Sequence, residues 1–333
     1  MKDLSIVIPA RNEEFLKNTI EDILKHIEAD TEIIVFLDGQ WATPTIDDHP
    51  RVHLIYSNKV VGQREGTNIA AKLSKAKYIM KMDAHCSFDQ GFDRKMIEAF
   101  KEVGDEVTMI PVMRNLWAYD WKCTKCGKRW YQDEFPGVCL ENNYKKTGKP
   151  CGEINFIKKV VWIGKERPQS TSYCFNSEPQ FKYFNEYTKR EEYKKARKET
   201  GLTESMSVQG SCFMLTRENY WKLNICDSSL GNWGNQGIEV ACKTWLSGRR
   251  VLINHRTWYA HMFRTKPKFS FPWPVSGRDQ RKTKEAVKEQ IYSGNISEQK
   301  YKVSWLVEKF WPIDGWTKND LEELKSIESK KNF

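Results

Sequence analysis

The chain has 333 residues, of which 39% are hydrophobic and 13% aromatic, and this composition excludes a wholly disordered protein. The first apolar run is short and is followed at once by charges, unlike a signal peptide, and no later run approaches the roughly 20 apolar residues of a membrane-spanning helix. We therefore expect a cytoplasmic protein with no membrane partner. Its net charge of +10 favours a polyanionic partner such as nucleic acid.

The first hundred residues alternate between strand-like and helix-like patterns. The predicted order is strand 4–9, helix 12–27, strand 32–37, strand 52–56, helix 67–74 and strand 78–82. This alternation is typical of an α/β fold with a mostly parallel sheet and right-handed crossovers. Ligands bind such sheets beyond the carboxyl ends of the strands, which here are followed by Pro9-Ala10-Arg11, Asp38-Gly39 and Asp83-Ala84-His85.

Later elements are predicted in the order exposed charged helix 178–199, strand 208–216, helix 237–246, strand 251–253 and a histidine-bearing segment 257–264. Thr317 and Asp320 are spaced as in a capping box, which predicts the start of a helix in the C-terminal tail.

Asp83 and His85 stand two residues apart at the end of an apolar strand. Their side chains then point to the same side and can reach one divalent ion. Such an ion would bridge the two phosphates of a nucleotide sugar and neutralise the departing diphosphate. A short Asp-x-His string also occurs by chance in surface turns, so the spacing alone does not establish a metal site.

A second group of candidate metal ligands lies in a Cys-, Gly- and Lys-rich insertion. Cys123 and Cys126 have the spacing of a zinc knuckle, and Cys139 and Cys151 can complete a tetrahedral Cys₄ site. With four protein ligands, this zinc would be structural rather than catalytic. The insertion also has a basic and aromatic composition that suits nucleic acid, from Lys122, Lys125, Lys128, Arg129, Trp130 and Tyr131.

Several strings in order resemble known glycosyltransferases. The string GQREGTNIAAKLSKAKYIMKMDAHCSF resembles the donor-binding stretch of polypeptide N-acetylgalactosaminyltransferases, and SIVIPARNEE resembles the first strand of family 2 glycosyltransferases. The same family's order continues in VQGSCFMLTRENYWKL and GNWGNQGIEVACKTWLSGRRVLINHRTWYAHMFR. Several ordered motifs are more specific than any single one, and the resemblance covers residues 1–265, interrupted by the cysteine insertion.

The resemblance implies a GT-A fold, an α/β fold with a Rossmann-like, mostly parallel central sheet, and a transferase that takes a sugar from a UDP-sugar donor. It divides the chain into a nucleotide-sugar-binding half at 1–116, a zinc-ribbon insertion at 117–155, an acceptor and sugar half at 156–265 and a C-terminal helical extension at 266–333.

By the same resemblance, His261 is the third metal ligand beside Asp83 and His85, and the cofactor is Mn²⁺ or Mg²⁺. Arg64 is expected near the nucleotide or its phosphates, and Asp38 near the uracil or the ribose. The other expected donor-binding residues lie along the nucleotide pocket and at the donor sugar, and are Pro9, Ala10, Asn12, Gly210 and Ser211.

The candidate catalytic residues are Gln236 and Glu239. Residues 233–239 read WGNQGIE and match the family's Trp-Gly-Gly-Glu-Asn-x-Glu motif in part. Gln236 cannot accept a proton at neutral pH but can hydrogen-bond the sugar or the acceptor. Glu239 is a candidate general base, and its helical placement equally allows a purely structural role. The resembled family retains anomeric configuration, which favours retention here.

The resembled family transfers sugar to Ser or Thr hydroxyls of polypeptides. The expected cytoplasmic location and the basic zinc insertion favour another acceptor, hydroxymethylated pyrimidine bases in DNA, as in bacteriophage genomes modified by glycosylation. A flipped-out base would stack on aromatic rings, for which the candidates are Trp258, Tyr259, Phe271 and Trp273. Two alternatives stay open, a cytoplasmic protein or polysaccharide glycosyltransferase, and a non-enzymatic zinc-ribbon protein that binds nucleic acid on a degenerate transferase scaffold.

Overall fold

The computed structural model describes residues 2–142, 148–264, 273 and 276–330; Phe271 lies outside them. The strands are β1 (Leu4–Ala10), β2 (Thr31–Asp38), β3 (Val52–Ser57), β4 (Tyr78–Met82), β5 (Cys86–Phe88), β6 (Val107–Cys123), β7 (Arg129–Tyr131), β8 (Phe156–Gly164), β9 (Tyr173–Phe175), β10 (Phe181–Tyr183), β11 (Leu202–Glu204), β12 (Cys212–Thr216) and β13 (Arg250–His261). The α-helices are α1 (Leu16–His26), α2 (Gln63–Leu73), α3 (Phe92–Val103), α4 (Glu191–Thr200), α5 (Arg217–Lys222), α6 (Gln236–Leu246), α7 (Gly277–Ser293), α8 (Val303–Phe310) and α9 (Lys318–Ser329).

The central sheet has the strand order β11-β13-β6-β12-β4-β1-β2-β3. Strands β3, β2, β1 and β4 are parallel, and β12 enters antiparallel between β4 and β6. Leu4 lies opposite both Thr31 and Tyr78, so β1, β2 and β4 end at one edge of the sheet. The predicted α/β fold with a mostly parallel central sheet is confirmed, and its ligand-binding edge is the one that the sequence indicated.

The strands are continuous apolar runs because other elements cover both faces of the sheet. Leu4, Ile6, Val7 and Ile8 of β1 are all fully buried, as expected for a parallel strand between helical layers. Helix α1 presents Leu16, Ile20 and Ile23 to the same core. Each such side chain contributes roughly 1.5–3 kcal/mol on burial.

Helix α2 begins at Gln63, four residues earlier than predicted. The chain that leads into the helix is held by contacts from distant segments. The Asp38 carboxylate accepts hydrogen bonds from the backbone amides of Val61 (2.7 Å) and Gly62 (3.1 Å), the first amide of the helix, that of Gln63, donates to the carbonyl of Asn232, and Gly62 has a φ of +87°, which glycine adopts at little cost. Contacts supplied by distant segments leave no local signal in the sequence.

In the second half of the chain, two observed elements differ from those predicted. The predicted strand at 251–253 and the segment at 257–264 form one strand, β13, with an irregularity between Asn254 and Trp258. The predicted helix at 178–199 is wrong in its first part, where β10 forms instead; a short 3₁₀ helix at Tyr187–Lys189 and then α4 follow. Phe181 stacks on Tyr173 there, so aromatic packing overrides the charged composition.

Strand β6 joins the main sheet to the cysteine insertion. Its first half pairs with β13, and its second half pairs with β7 and β8 in a small antiparallel sheet. The predicted boundary at 116/117 therefore falls inside β6, and β8 extends the insertion beyond the predicted limit of 155.

The C-terminal helices pack onto the domain. Helix α8 contacts α6 and α9, and the ring of Phe310 meets that of Trp245 edge-on. Thr317 and Asp320 form the predicted capping box at the start of α9. In the part of the chain that the structure describes, no helix combines the length and the apolar character needed to cross a bilayer.

Candidate metal and donor site

A cavity of about 790 Å³ opens at the edge of the sheet where β1, β2 and β4 end. Its size falls within the roughly 300–1,000 Å³ typical of small-molecule sites. The cavity is lined by the strand ends, by the segments that precede and begin α6, by the end of β13 and by the start of α7. The main lining residues lie at 9–11, 38, 83–85, 208–211, 232–238 and 261–264, with part of 276–284.

Asp83, His85 and His261 converge in this cavity. The Nε2 atoms of His85 and His261 are 3.0 Å apart, and His261 Nε2 lies 3.3 Å from Asp83 Oδ2. Strand register brings them together, because β13 pairs with β5 so that His261 lies opposite Cys86, the neighbour of His85. Each of the three residues offers one possible ligand atom, and these three atoms lie within 4.8 Å of one another. The three predicted ligands are therefore adjacent in space.

Glu13 was not predicted and stands directly behind the histidines. Its carboxylate accepts a hydrogen bond from His85 Nδ1 at 2.9 Å and one from Arg264 at 2.7 Å. With Nδ1 held by Glu13, the lone pair of His85 Nε2 faces Asp83 and His261. A carboxylate behind a ligating histidine is the usual support of a metal site.

The protonation states also fit a divalent cation. Burial lowers the pKa of His261 to about 4, so its imidazole is neutral at pH 7. Burial raises the pKa of Asp83, but the Lys81 ammonium and the hydrogen bond from His261 outweigh it and hold that pKa well below its ordinary value. One carboxylate and two imidazoles form a ligand set that suits Mn²⁺ and related metals.

Lys81 is a second residue that sequence reasoning missed. It is fully buried, and its ammonium donates to Asp83 Oδ1 at 2.5 Å and to the carbonyl of Gly210 at 2.6 Å. Gln63 donates a second hydrogen bond to the same oxygen of Asp83 at 3.2 Å. A buried cation thus connects the metal-ligating strand end with the segment at residues 208–211, and neutralises part of the charge of Asp83.

Most of the predicted donor-binding residues line the cavity. These are Pro9, Ala10, Asp38, Asp83, Gly210 and Ser211. A Cβ atom on Gly210 would lie 3.0 Å from the amide nitrogen of Gly237, so this glycine permits the close approach of its segment to the start of α6. Asn12 is exposed and does not line the cavity, so its expected place along the nucleotide pocket is not the one observed.

Arg64 lies outside the cavity, although it was expected near the nucleotide, and it pairs there with Glu239. Both are fully buried, neither lines the cavity, and Arg64 Nε donates to Glu239 at 2.8 Å. Arg64 also donates to the carbonyls of Gly231 and Gly234, and Glu239 accepts from Lys243 at 2.7 Å. A carboxylate held between two cations is poorly placed to take a proton from an acceptor, so the structure favours the structural role for Glu239.

Gln236 does line the cavity and is 5% exposed. Its amide nitrogen donates to the sulfur of Cys226 at 3.1 Å, and among the described residues its buried Oε1 has no hydrogen-bond partner. A buried amide with an unused oxygen at a cavity wall can accept a hydrogen bond from a sugar or acceptor hydroxyl.

The candidate stacking residues differ in exposure. Tyr259 is fully buried and its hydroxyl meets that of Ser211 at 2.8 Å, so it is not available to a base. Trp258 packs under Arg114. Trp273 lines the cavity.

The four cysteines of the insertion are adjacent and free. Cys123 and Cys151 have their sulfurs 3.8 Å apart, and Cys126 and Cys139 have theirs 3.5 Å apart. Four thiolates at about 2.3 Å from one tetrahedral zinc have sulfurs about 3.8 Å apart, whereas a disulfide bond is about 2.05 Å long. These two distances are compatible with one tetrahedral ion and are too long for disulfide bonds.

Residues 5–131 match the family model described as Glycosyl transferase family 2. The match covers less than half of the chain, which is similar to family 2 glycosyltransferases over that part. Polypeptide N-acetylgalactosaminyltransferase 3 of Drosophila melanogaster is 19% identical over 276 residues, which are 83% of this chain and 32% of that protein. Probable N-acetylgalactosaminyltransferase 6 of Caenorhabditis elegans is 24% identical over 184 residues, which are 55% of this chain and 27% of that protein.

The crystal structure of GalNAc-T7 with UDP, GalNAc and Mn²⁺ superposes with a TM-score of 0.59 at 14% sequence identity, over 100% of this chain and 55% of that one. The GT-A fold and the resemblance to these transferases are thereby confirmed. This chain spans about a third or less of the length of these two curated relatives.

Replacing Lys81 by Met should tighten the binding of Mn²⁺. The substitution removes a positive charge that contacts the ligand Asp83, and we expect the dissociation constant for Mn²⁺ to fall by about tenfold, or about 1.4 kcal/mol. Isothermal titration with MnCl₂ measures this. Lys81→Gln, which keeps a hydrogen-bond donor, should change the affinity in the same direction.

The matched control is Lys95→Met, which removes a lysine paired with Asp89 away from the cavity and should leave Mn²⁺ binding unchanged. Weaker Mn²⁺ binding by both Lys81 variants, at unchanged melting temperature without metal, contradicts the charge-neutralising role.

Proposed function

We propose that the protein is a metal-dependent glycosyltransferase that moves a sugar from a UDP-sugar to an acceptor hydroxyl. The observation that carries this proposal is the convergence of Asp83, His85 and His261, supported by Glu13, in a cavity at the ligand-binding edge of a GT-A sheet. The curated relatives are named as N-acetylgalactosaminyltransferases, and the structural neighbour contains UDP, GalNAc and Mn²⁺.

Each part of the cavity has a task in this reaction. When bound, Mn²⁺ or Mg²⁺ would neutralise charge that develops on the departing diphosphate. Glu13 fixes the ring of His85 and orients Arg264, while Pro9 and Ala10 form the wall beside the nucleotide. Helix α6 begins at the cavity with Gln236, and its N-terminal dipole favours an anionic group there.

Retention of anomeric configuration fits the carboxylates of the cavity. Gln236 cannot serve as a base, and Glu239 is held by two cations outside the cavity. Four carboxylates line the described part of the cavity. Glu13 is held by His85 and Arg264, Asp38 by backbone amides and Asp83 by Lys81. These three are poorly placed to act as the free general base that inversion needs, which supports the acceptor attacking from the side of the leaving diphosphate and leaves Asp279 on α7 as the one carboxylate that inversion could use.

The proposal predicts Mn²⁺-dependent hydrolysis of a UDP-sugar, with transfer when the acceptor is present. His261→Ala removes a ligand and should abolish turnover, and Glu13→Gln should weaken Mn²⁺ binding by about 10–100-fold through loss of the support to His85. Turnover is measured as UDP released from UDP-glucose, UDP-galactose and UDP-N-acetyl sugars. The affinity for Mn²⁺ is measured by titration with MnCl₂.

His53→Ala is the control, because His53 is an exposed histidine on β3 outside the cavity. It should keep full activity. Hydrolysis that survives both His261→Ala and Asp83→Ala would contradict the proposal. Nucleic-acid binding by a protein without any turnover would favour the non-enzymatic alternative.

The cysteine cluster is proposed to hold a structural zinc ion. The sulfur spacings fit one tetrahedral ion, and the rings of Trp130 and Phe156 pack beside it. None of the four cysteines lines the cavity. The thiols also fit the predicted cytoplasmic location, since a reducing compartment keeps such a cluster free of disulfides.

Purified protein should contain one zinc per chain by elemental analysis. Cys139→Ser should lose this zinc and lower the melting temperature, because binding of a structural zinc contributes to folding, while UDP-sugar hydrolysis persists at low temperature. Cys174→Ser, at a buried cysteine outside the cluster, should keep the zinc. A zinc-free native protein with all four thiols reactive would contradict the proposal.

Hydroxymethylated pyrimidines in DNA are the proposed acceptor. The support is the net charge of +10 and the exposed cations of the insertion, Lys122, Lys128 and Arg129. Label from a UDP-sugar should transfer to hydroxymethylcytosine-containing DNA and not to the same DNA with cytosine. Transfer to polypeptide instead, the acceptor class in the names of the curated relatives, would overturn the DNA proposal and leave the glycosyltransferase proposal intact.

A further inference from the structure

Three cations that line the cavity have no partner among the residues that the structure describes. Arg11 follows β1, and Arg281 and Lys284 lie on α7. Within the described ranges, none of the three makes an ion pair or a side-chain hydrogen bond. By contrast, Arg264 in the same cavity is paired with Glu13, and Lys81 beside it with Asp83. The three unpaired side chains are therefore available to a ligand.

The donor alone does not account for these charges. The diphosphate of a UDP-sugar carries about two negative charges, which the divalent ion proposed at Asp83, His85 and His261 balances. Two carboxylates of the cavity that no cation pairs with, Asp38 and Asp279, offset two of these three positive charges. The cavity therefore keeps a positive surplus on the α7 side after donor and metal are in place, and an anionic acceptor would satisfy it.

Helix α7 holds its two cations in a fixed position. Arg281 and Lys284 are three residues apart and share one face of the helix. Gln290 donates to Asp227 at 2.9 Å, and Tyr292 donates to the carbonyl of Ser177 at 2.8 Å, which anchor the C-terminal half of α7 to the domain. Thr283, between the two cations, is buried.

We infer that Arg281 and Lys284, together with Arg11, form a subsite for the phosphodiester backbone of a nucleic-acid acceptor. This inference rests on the proposed function, whose acceptor it specifies. Phosphate contacts of arginine and lysine position nucleic acid without reading its sequence. The partly buried rings of Phe181, Trp233 and Phe263 line the same cavity, and such rings beside cations are typical of sites for unstacked bases. An acidic peptide would use the cations but has no bases to stack.

The test measures how salt weakens the binding of a fluorescein-labelled single-stranded DNA of mixed sequence, by fluorescence anisotropy. Arg281→Ala combined with Lys284→Ala removes two phosphate contacts and should lower the slope of log K against log salt by about 1.4, at about 0.7 per contact for single strands. Arg11→Ala should lower it by about 0.7.

The control is Arg278→Ala combined with Lys282→Ala, which removes the same charge from exposed positions of α7 that do not line the cavity. It should leave the slope nearly unchanged. An equal fall in slope for control and test variants would overturn the subsite, since it would show only general attraction to a basic helix. Competition by polyglutamate as effective as that by unlabelled DNA of equal charge would also overturn it, in favour of an acidic peptide.

Failure of the inference is separable from failure of the proposed function. UDP binding in the presence of Mn²⁺ should be the same in the Arg281/Lys284 double variant and in the unchanged protein, and melting temperatures check that both are folded. Normal UDP-sugar hydrolysis with identical salt slopes overturns the subsite alone. The predicted slopes without any UDP-sugar hydrolysis uphold the subsite and overturn the proposed function.

Discussion

The pairing of β13 with β5 is the constraint on which the site depends. It places His261 opposite Cys86, and so beside His85, although the two histidines are 176 residues apart in the chain. A slip of one residue in this register would turn His261 to the other face of the sheet. The irregularity between Asn254 and Trp258 sets the phase of the last residues of β13, so a local defect in the strand positions His261.

A buried network of charges supports the opposite wall of the cavity. Arg64 binds the carbonyls of Gly231 and Gly234 and pairs with Glu239, which also accepts from Lys243. Removal of one partner from such a buried pair typically costs about 3–5 kcal/mol, because it leaves an uncompensated charge. These residues therefore fix the loop at 231–234 and the start of α6, and act on a ligand only through the wall that they hold in place.

Sequence and structure agree where the signal is local or ordered along the chain. The spacing of Asp83 and His85 predicted that both side chains reach one divalent ion, and the order of motifs predicted that His261 joins them. The position of Glu13 was not predictable, because Glu14 beside it has the same chemistry and only the turn after β1 distinguishes them. Arg64 was expected at the nucleotide, and the two roles of Glu239 stayed open, because sequence alone does not reveal that two charged residues 175 positions apart are buried against each other. The early start of α2 depends on the distant carboxylate of Asp38, which is equally invisible locally.

The central claim is that Asp83, His85 and His261 bind one divalent cation that holds the diphosphate of the donor. Anomalous X-ray scattering at the manganese edge, from crystals grown with UDP and Mn²⁺, tests this claim most directly. The account predicts one manganese peak coordinated by these three side chains and by the phosphate oxygens of UDP. A manganese peak elsewhere, or UDP bound with the two histidines still in contact with each other and no metal between them, would contradict it.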